Sequence, residues 1–468
     1  MRKAKIICTI GPATSSIKVI DRMIRAGMNV ARMNFSHGTY EEHKRAIHSI
    51  RQSARKYEVP VAILQDLKGL KIRAGAIKDG STFLKKGSTL TITTKNIIGD
   101  NKGIQVSYPN LIKDINIGDS ILFDDGLLRL KVIGREKGRL LAKVLEGGLL
   151  RERKGVNLPG TKISGTVFTK KDREDLAFGI SMGIDYVAMS FVRAKGDILR
   201  VKSWLKKQGA DIPVIAKIEN RHALDNIDEI IHAADGIMVA RGDMGVELPP
   251  ETVPLIQKDL IKKCNTAMKP VITATQMLES MTGHMTPTRA EAADVANAVL
   301  DGTDALMLSA ETSIGKYPVE ALKMMDRIIR STEESKTQKY STDVVSKHFA
   351  QALAESACSA AMDINAGTIV SFSRSGFTSL LVSKFRPRAP ITGFTVNENM
   401  RRRMNLYWGT YPYVMKFPGN TDEMISESEK ILLRKGLAKK GDAIVIIASS
   451  PFELGGKSNI MKLHKVGY

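Results

Sequence analysis

Six short segments of this chain end in clusters of ionisable or hydrogen-bonding residues. They are Arg32-Met33-Asn34-Phe35-Ser36-His37-Gly38, Asp66-Leu67-Lys68-Gly69-Leu70-Lys71-Ile72-Arg73, Lys217-Ile218-Glu219-Asn220, Ala240-Arg241-Gly242-Asp243, Thr273-Ala274-Thr275-Gln276 and Ser309-Ala310-Glu311-Thr312. Lys217 and Glu219 are two apart on an apolar run, so on a strand both point to one face. Asp243 closes the next such run. Two carboxylates of this kind suit Mg²⁺ or Mn²⁺, hard cations that bind oxygen and leave positions for substrate oxygens. The lysine adds a fixed positive charge. Arg32 and Arg73 can grip phosphate or carboxylate oxygens through two parallel N–H donors. This is equipment for phosphoryl transfer, in which positioning and charge neutralisation supply most of the catalysis. A lone Lys-x-Glu is usually an exposed ion pair worth little, and His37 alone is more often structural. Six clusters recurring at the same point of six similar segments, however, point to function.

The elements that must position them are short, β-branched apolar runs, each ending in a polar or glycine-rich corner. They are Lys5–Ile10, Val30–Phe35, Val61–Gln65, Tyr186–Phe191, Val214–Ile218, Ile237–Ala240, Val271–Ala274 and Ala305–Leu308. Most are followed by an amphipathic stretch, as in Lys171–Met182 and Val319–Ile329. Near-continuous apolar strands are what a sheet covered on both faces requires. About eight parallel strands close a (β/α)₈ TIM barrel, whose reactive groups lie at the C-terminal strand ends. The predicted fold is therefore α/β, with the barrel built from residues 1–69 and 167–335. Residues 70–166 break the pattern with short alternating runs (Thr89–Thr93, Ser120–Phe123, Leu127–Ile133, Leu140–Val144) and many glycines. They predict an inserted small β-barrel domain, placed as a lid. A polar linker after about Glu333 leads to a C-terminal α/β domain at 340–468, with a helix at Phe349–Met362. Its strands are expected at Thr368–Phe372, Ile391–Val396, Tyr413–Phe417 and Ala443–Ala448.

Composition narrows the class. The chain has 468 residues, 43% hydrophobic and 26% charged, a soluble globular balance that demands more than one core. No apolar stretch reaches the roughly 18 residues of a membrane span, and the N-terminus carries no signal-peptide pattern. A cytoplasmic protein without membrane association is the expectation. Cys8, Cys264 and Cys358 show no metal-type spacing and read as reduced thiols. The formal charge of +22 invites a nucleic-acid partner. The basic residues are spread along the chain, however, and rarely alternate with aromatics. No nucleic acid is expected, and the basic surface suits anionic substrates. There is no GxxxxGK[ST] loop and no kinase-type glycine loop, so a nucleotide is not held in either usual way.

These strand ends, in their joint order and spacing, resemble the pyruvate kinase family. The likeness covers KIICTIGPAT (Lys5–Thr14), ARMNFSHG (Ala31–Gly38), KGVNLPG (Lys154–Gly160), AKIEN (Ala216–Asn220) and ARGDMG (Ala240–Gly245). It continues through ATQMLESM (Ala274–Met281), PTRAEAADVANA (Pro287–Ala298) and MLSAET (Met307–Thr312). The resemblance implies that phosphoenolpyruvate and ADP give pyruvate and ATP, with Glu219 and Asp243 as ligands of Mg²⁺ or Mn²⁺. It implies that Lys217 stabilises the phosphoryl group in flight and the enolate, and that Arg32 contacts that phosphoryl group. Arg73 matches a second active-site arginine. Thr275 matches the threonine near the protonated face of the enolate, and Ser309 a member of the proton relay. Backbone N–H groups of Gly242 and Asp243 would hold the substrate carboxylate. Asn34, His37 and Lys154 match the nucleotide side. A rival, another barrel enzyme acting on phosphoenolpyruvate or an enolate, would share the carboxylates but would not need the inserted lid or KGVNLPG.

One strand end departs from the family pattern Asp-Thr-Lys-Gly-Pro-Glu-Ile-Arg. Here Leu67 follows Asp66, and Lys71 stands where glutamate is common. Many members bind K⁺ near Asn34, Ser36, Asp66 and the backbone of the next residue, here Leu67. A tethered ammonium can replace a captured ion, so K⁺ is expected not to be required. In the C-terminal domain, Ser373, Arg374, Ser375, Gly376 and Thr378 sit between a strand and a helix. Hydroxyls and helix N-terminal amides make a phosphate cradle, and Gly455-Gly456-Lys457-Ser458 could close over it. In the family the corresponding region binds phosphorylated allosteric effectors, and the family is usually a homotetramer. An ordinary strand–helix turn with a serine cap is the plainer alternative.

Overall fold

The computed structural model describes residues 1–335, 348–449 and 458–468. Eight strands form a closed barrel: Lys5–Ile10, Val30–Asn34, Ala62–Asp66, Tyr186–Met189, Val214–Ile218, Gly236–Ala240, Val271–Ala274 and Ala305–Leu308. Each strand lies beside its neighbours in sequence, and the eighth closes onto the first. First pairs with second and eighth, second with third, fifth with sixth, and seventh with eighth, all in parallel. Every residue of the first, third, fourth, fifth, sixth, seventh and eighth strands is buried. That double-sided burial is why these strands read as unbroken apolar runs.

The chain divides into two compact units, Met1–Asp66 with Phe178–Val187 and Asp259–Tyr468, and Leu67–Ala177 with Ala188–Lys258. The second unit contains the insertion. Its main sheet has six strands in the order Val156–Asn157, Ser120–Phe123, Leu128–Glu136, Arg139–Glu146, Thr89–Thr93, Gly103–Gln105. Ser81–Leu84 pairs separately with Gly148–Arg151. Along Leu128–Ile133 buried and exposed residues alternate strictly, the signature of a sheet with one wet face. Leu84 and Leu150 from the small sheet join Ile92, Phe123, Leu130 and Val144 of the large one in a single core.

Within the first unit lies the C-terminal α/β domain. Thr410–Val414, Ile391–Thr395, Thr368–Phe372 and Ala443–Ala448 run parallel in that order, and Ile460–Lys465 adds an antiparallel edge. The strand expected at Tyr413–Phe417 begins three residues earlier. Pro412 sits inside it opposite Gly393, and this is the edge of the sheet, where a missing N–H is tolerated. The edge strand Ile460–Lys465 was not anticipated; its residues are mostly exposed and give no apolar run. Two apolar clusters form the domain's cores, one around Phe372, Phe394 and Met424, the other around Ala357, Leu381 and Ile369. The helix Phe377–Lys384 is tied to the barrel by a buried ion pair. Lys384 Nζ lies 2.5 Å from Asp304 Oδ2, and Arg386 Nη1 lies 3.0 Å from Asp304 Oδ1. Among the described residues no helix is long and apolar enough to cross a membrane.

Candidate active site

In the second unit, Lys217 and Glu219 flank the last residue of the fifth strand. Lys217 Nζ lies 2.8 Å from Glu219 Oε1 and donates to Ser190 Oγ at 2.7 Å. Ser190, just past the fourth strand, donates in turn to the Leu67 carbonyl at 2.9 Å. The next residue, Phe191, has a left-handed backbone (φ 56°), and its amide donates to Glu219 Oε2 at 2.6 Å. Glu219 is 1% exposed. Burial pushes its pKa up, the Lys217 ammonium pulls it down, and Asp243 pushes it up again. Ser190 was missed at the sequence level, although the strand-end rule that found the other clusters applies equally to the fourth strand.

Asp243 lies in the short helix Arg241–Glu247 that follows the sixth strand. Four residues on, Glu247 shares its face. Burial raises Glu247 to about 7, with the Asn157 amide working against the shift and Asp243 and Glu219 adding to it. Asn157, within KGVNLPG, reaches Glu247 Oε1 at 3.4 Å. One pocket is lined by Lys71, Asn157, Phe191, Arg193, Asp243 and Glu247, among others. Lys71 is exposed but shares that pocket with the carboxyl groups. Arg73 and Lys154 are engaged on the insertion: Arg73 Nη1 donates to the Arg153 carbonyl at 2.9 Å, and Lys154 Nζ pairs with Asp124 at 2.8 Å.

Glu219 thus meets the ammonium of Lys217, and Glu219, Asp243 and Glu247 repel one another beside that pair. Their mutual repulsion and burial make the arrangement fit a divalent cation, which removes the penalty of a negative excess in a low dielectric. Among the described residues no group of three or more His, Cys, Asp and Glu side chains is arranged to hold a metal alone. Glu219 and Asp243 would therefore supply the protein ligands and leave other positions to substrate and water, the usual pattern for Mg²⁺.

The first unit carries the remaining predicted groups. Arg32, on the second strand, forks onto Asp66 at the end of the third, with Nε and Nη2 both 2.7 Å from Oδ2. Its Nη1 donates to Thr9 Oγ1 at 2.9 Å. Asn34 Oδ1 accepts the Ser36 amide at 3.1 Å, and the His37 carbonyl lies 3.0 Å from His43 Nε2. Thr275 and Gln276 are consecutive left-handed residues (φ 67° and 54°), and Thr275 Oγ1 donates to the Ala274 carbonyl at 2.6 Å. Ser309 Oγ is buried and has no hydrogen-bond partner among the described residues. Its amide donates to Glu311 Oε2 at 2.6 Å, and Leu278 N donates to Glu311 Oε1 at 3.0 Å. Glu311, 0% exposed, thus fastens the loop after the seventh strand to the corner after the eighth, a role not foreseen. Burial raises its pKa against those amide hydrogen bonds.

The segment PTRAEAADVANA acquires a physical reason. Thr288 caps the helix Arg289–Leu300, with reciprocal bonds between Thr288 and Glu291. Glu291 also accepts from Ser280 N at 2.7 Å and from its hydroxyl, so the cap also pins the segment after Thr275. In the C-terminal loop, Gly376 is left-handed (φ 74°) ahead of the helix Phe377–Lys384. Thr378 N donates to Ser373 Oγ at 3.4 Å. Thr378 Oγ1 lies 2.6 Å from Ser458 Oγ, which joins the two loops read as partners. Arg374 and Ser375 are exposed, and Gly455–Lys457 lie outside the described residues.

Comparison with known proteins adds independent weight. Residues 1–322 match the family model described as pyruvate kinase, barrel domain, and residues 351–464 that of the pyruvate kinase alpha/beta domain. The chain is 47% identical to a pyruvate kinase of Geobacillus stearothermophilus, over 99% of this chain and 80% of that one. It is 45% identical to one from Bacillus licheniformis, over 100% and 81%. The crystal structure of a pyruvate kinase from Cryptosporidium parvum superposes with a TM-score of 0.93 at 37% identity, covering 99% of this chain and 96% of that one. The chain belongs to the pyruvate kinase family, and its reaction is transfer of the phosphoryl group of phosphoenolpyruvate to ADP, giving pyruvate and ATP in glycolysis.

Proposed function

We propose that this reaction is carried by the strand-end groups in the following roles. Lys217 neutralises charge on the phosphoryl group in flight and then on the enolate oxygen. Arg32 binds the transferring phosphoryl group, and Arg73 acts as a second arginine on the anionic substrates. The amides of Gly242 and Asp243 hold the substrate carboxylate. Thr275 and Ser309 serve the proton that converts enolate to pyruvate, and Asn34, His37 and Lys154 contact the nucleotide. Glu219 and Asp243 hold Mg²⁺ (or Mn²⁺), which when bound supplies positive charge beside the phosphoryl oxygens. The insertion at 70–166, closing as a lid on the barrel of 1–69 and 167–335, keeps water from the phosphoryl group.

The observation that carries this reading is the buried Ser190–Lys217–Glu219 chain. An ammonium is fixed at 2.7 Å and 2.8 Å by two partners, next to carboxyl groups that burial leaves in need of a cation. Preorganised charge of this kind stabilises a transition state without reorganisation cost.

Lys71 stands in for K⁺. The support for this is the sequence, in which Lys71 stands where the family commonly has glutamate; in its own unit Lys71 lines a pocket with Asp243 and Glu247. With that ammonium present, the residues Asn34, Ser36, Asp66 and Leu67 are read as needing no monovalent ion. The loop Ser373–Thr378, in the domain of 340–468, takes a phosphorylated effector, and the enzyme assembles as a homotetramer. A coupled assay for pyruvate, with and without Mg²⁺ and K⁺, tests the central claims. Full activity with Mg²⁺ in potassium-free buffer is expected. Activity surviving chelation of divalent ions would sink the metal assignment, and a rate that collapses without K⁺ would sink the role of Lys71.

A further inference from the structure

Within the first unit, a cleft of about 550 Å³ opens between the barrel helix Tyr40–Lys56 and the C-terminal helices Glu398–Met404 and Thr421–Arg434. Six cationic side chains line it: Arg51, Arg55, Arg401, Arg402, Arg434 and Lys435. The carboxylates that answer them are fewer. Asp185, 1% exposed, is shared by Arg51 at 2.7 Å and Arg402 at 2.8 Å. Arg401 pairs with Glu398 at 3.2 Å and Lys435 with Glu58 at 2.9 Å. Arg55 and Arg434 form no ion pair among the described residues. The wall between these charges is apolar, formed by Ala54, Val59, Val61, Val414 and Ile431 with the Tyr413 ring.

A concave site with excess guanidinium charge and an apolar wall selects an anion that also has a body to bury. Guanidinium groups match phosphate oxygens in bidentate geometry, and pockets for small ligands combine an apolar lining with a few convergent polar groups. We propose that this cleft is a second effector site, separate from the Ser373–Thr378 loop, for a small organic phosphate with a flat or apolar body, of the nucleoside monophosphate class. Its phosphate sits between Arg55 and Arg434, which come from the barrel helix and the C-terminal domain respectively, and its body lies on Val414 and Ile431. A ligand held by both walls also borders the Arg51–Asp185–Arg402 bridge. Asp185 accepts the Ile63 amide at 2.8 Å in the third barrel strand, so the cleft is wired to the strand that ends at Asp66.

The test uses the full chain and adenosine monophosphate as probe, by titration calorimetry. The background variant is Ser375→Asp, which places a repelling charge on the exposed effector loop. Saturable binding with Kd below about 1 mM is expected to remain there. Adding Arg55→Glu and Arg434→Glu should weaken it at least ten-fold. An equal charge change elsewhere, Lys78→Glu with Lys102→Glu, both exposed, should leave it within two-fold. Turnover of Arg55→Glu/Arg434→Glu with phosphoenolpyruvate and ADP alone, no adenosine monophosphate added, should match the parent, which verifies folding. Loss of all binding in Ser375→Asp would overturn the proposal, because the loop would then account for the probe. So would binding that Arg55→Glu/Arg434→Glu leaves intact, or that the control charge change weakens as much.

Discussion

Lys217 is the residue on which the proposed chemistry turns. Its ammonium is fixed by Ser190 and Glu219, so Lys217→Met should lower kcat by about 10²–10³-fold, the usual cost of losing one preorganised electrostatic group. Unchanged far-ultraviolet circular dichroism would show that the fold survives; near-wild-type turnover would refute the assignment. Glu247 offers a pH test. Its folded pKa near 7 lies above that of an unfolded glutamate, so below about pH 4 the group is protonated in both states and costs nothing. As pH rises toward 7 the unfolded state ionises first, and stability falls until the folded group ionises too. Without divalent metal, Glu247→Gln should therefore raise thermal stability relative to the parent above pH 7, by about 3 kcal/mol. The gain should vanish near pH 4, and a difference independent of pH would defeat the argument. Lys217 and Glu219 were legible in the sequence because strand periodicity puts their side chains on one face, and Asp243 because it follows closely on the end of the next strand. Glu247 and Ser190 were not, because their importance depends on what packs around them.

At the level of elements, the barrel strands were legible because a sheet buried on both faces has few polar positions to confuse the pattern. Lys5–Ile10, Val214–Ile218, Val271–Ala274 and Ala305–Leu308 coincide with the strands observed. Where a strand keeps a wet face or carries a proline, as at Ile460–Lys465 and Thr410–Val414, the pattern fades. Helix caps act locally but hold loops. Thr288→Ala removes one side of the cap that Glu291 shares with Ser280. A loss of about 1 kcal/mol is expected at the start of Arg289–Leu300, read as faster hydrogen exchange in that helix and in Glu279–Thr282. Turnover should fall as well, since the same segment follows Thr275. Unchanged exchange in Glu279–Thr282 would mean that the cap does not steady that loop.

For the molecule as a whole, the pair Lys384–Asp304 joins barrel and C-terminal domain inside one unit. Asp304 also accepts the Val271 amide at 2.7 Å, and both charged groups are buried. Burial lowers the Lys384 pKa to about 8, against the pull of Asp304. Removing one partner of a buried pair leaves the other charge unpaid, at a cost of about 3–5 kcal/mol. Asp304→Asn should therefore lower the first thermal transition by several degrees, followed by calorimetry. The double change Asp304→Asn with Lys384→Met should recover part of the loss, and failure to recover any would argue that the carboxylate matters through Val271 and Arg386 and not through Lys384. Neither residue stood out in the sequence, because their partnership spans eighty positions and has no local signature.

Thr275 and Gln276 bring a last consequence. Two adjacent left-handed residues with side chains are strained positions that glycine would occupy freely. Selection for heat resistance alone should therefore drift toward glycine at either position. Selection for turnover should hold threonine at 275 if its hydroxyl has the proposed part in proton transfer. The two pressures oppose each other at codon 275 and not at codon 276, so the history of selection on this enzyme would be written in the difference between those neighbours.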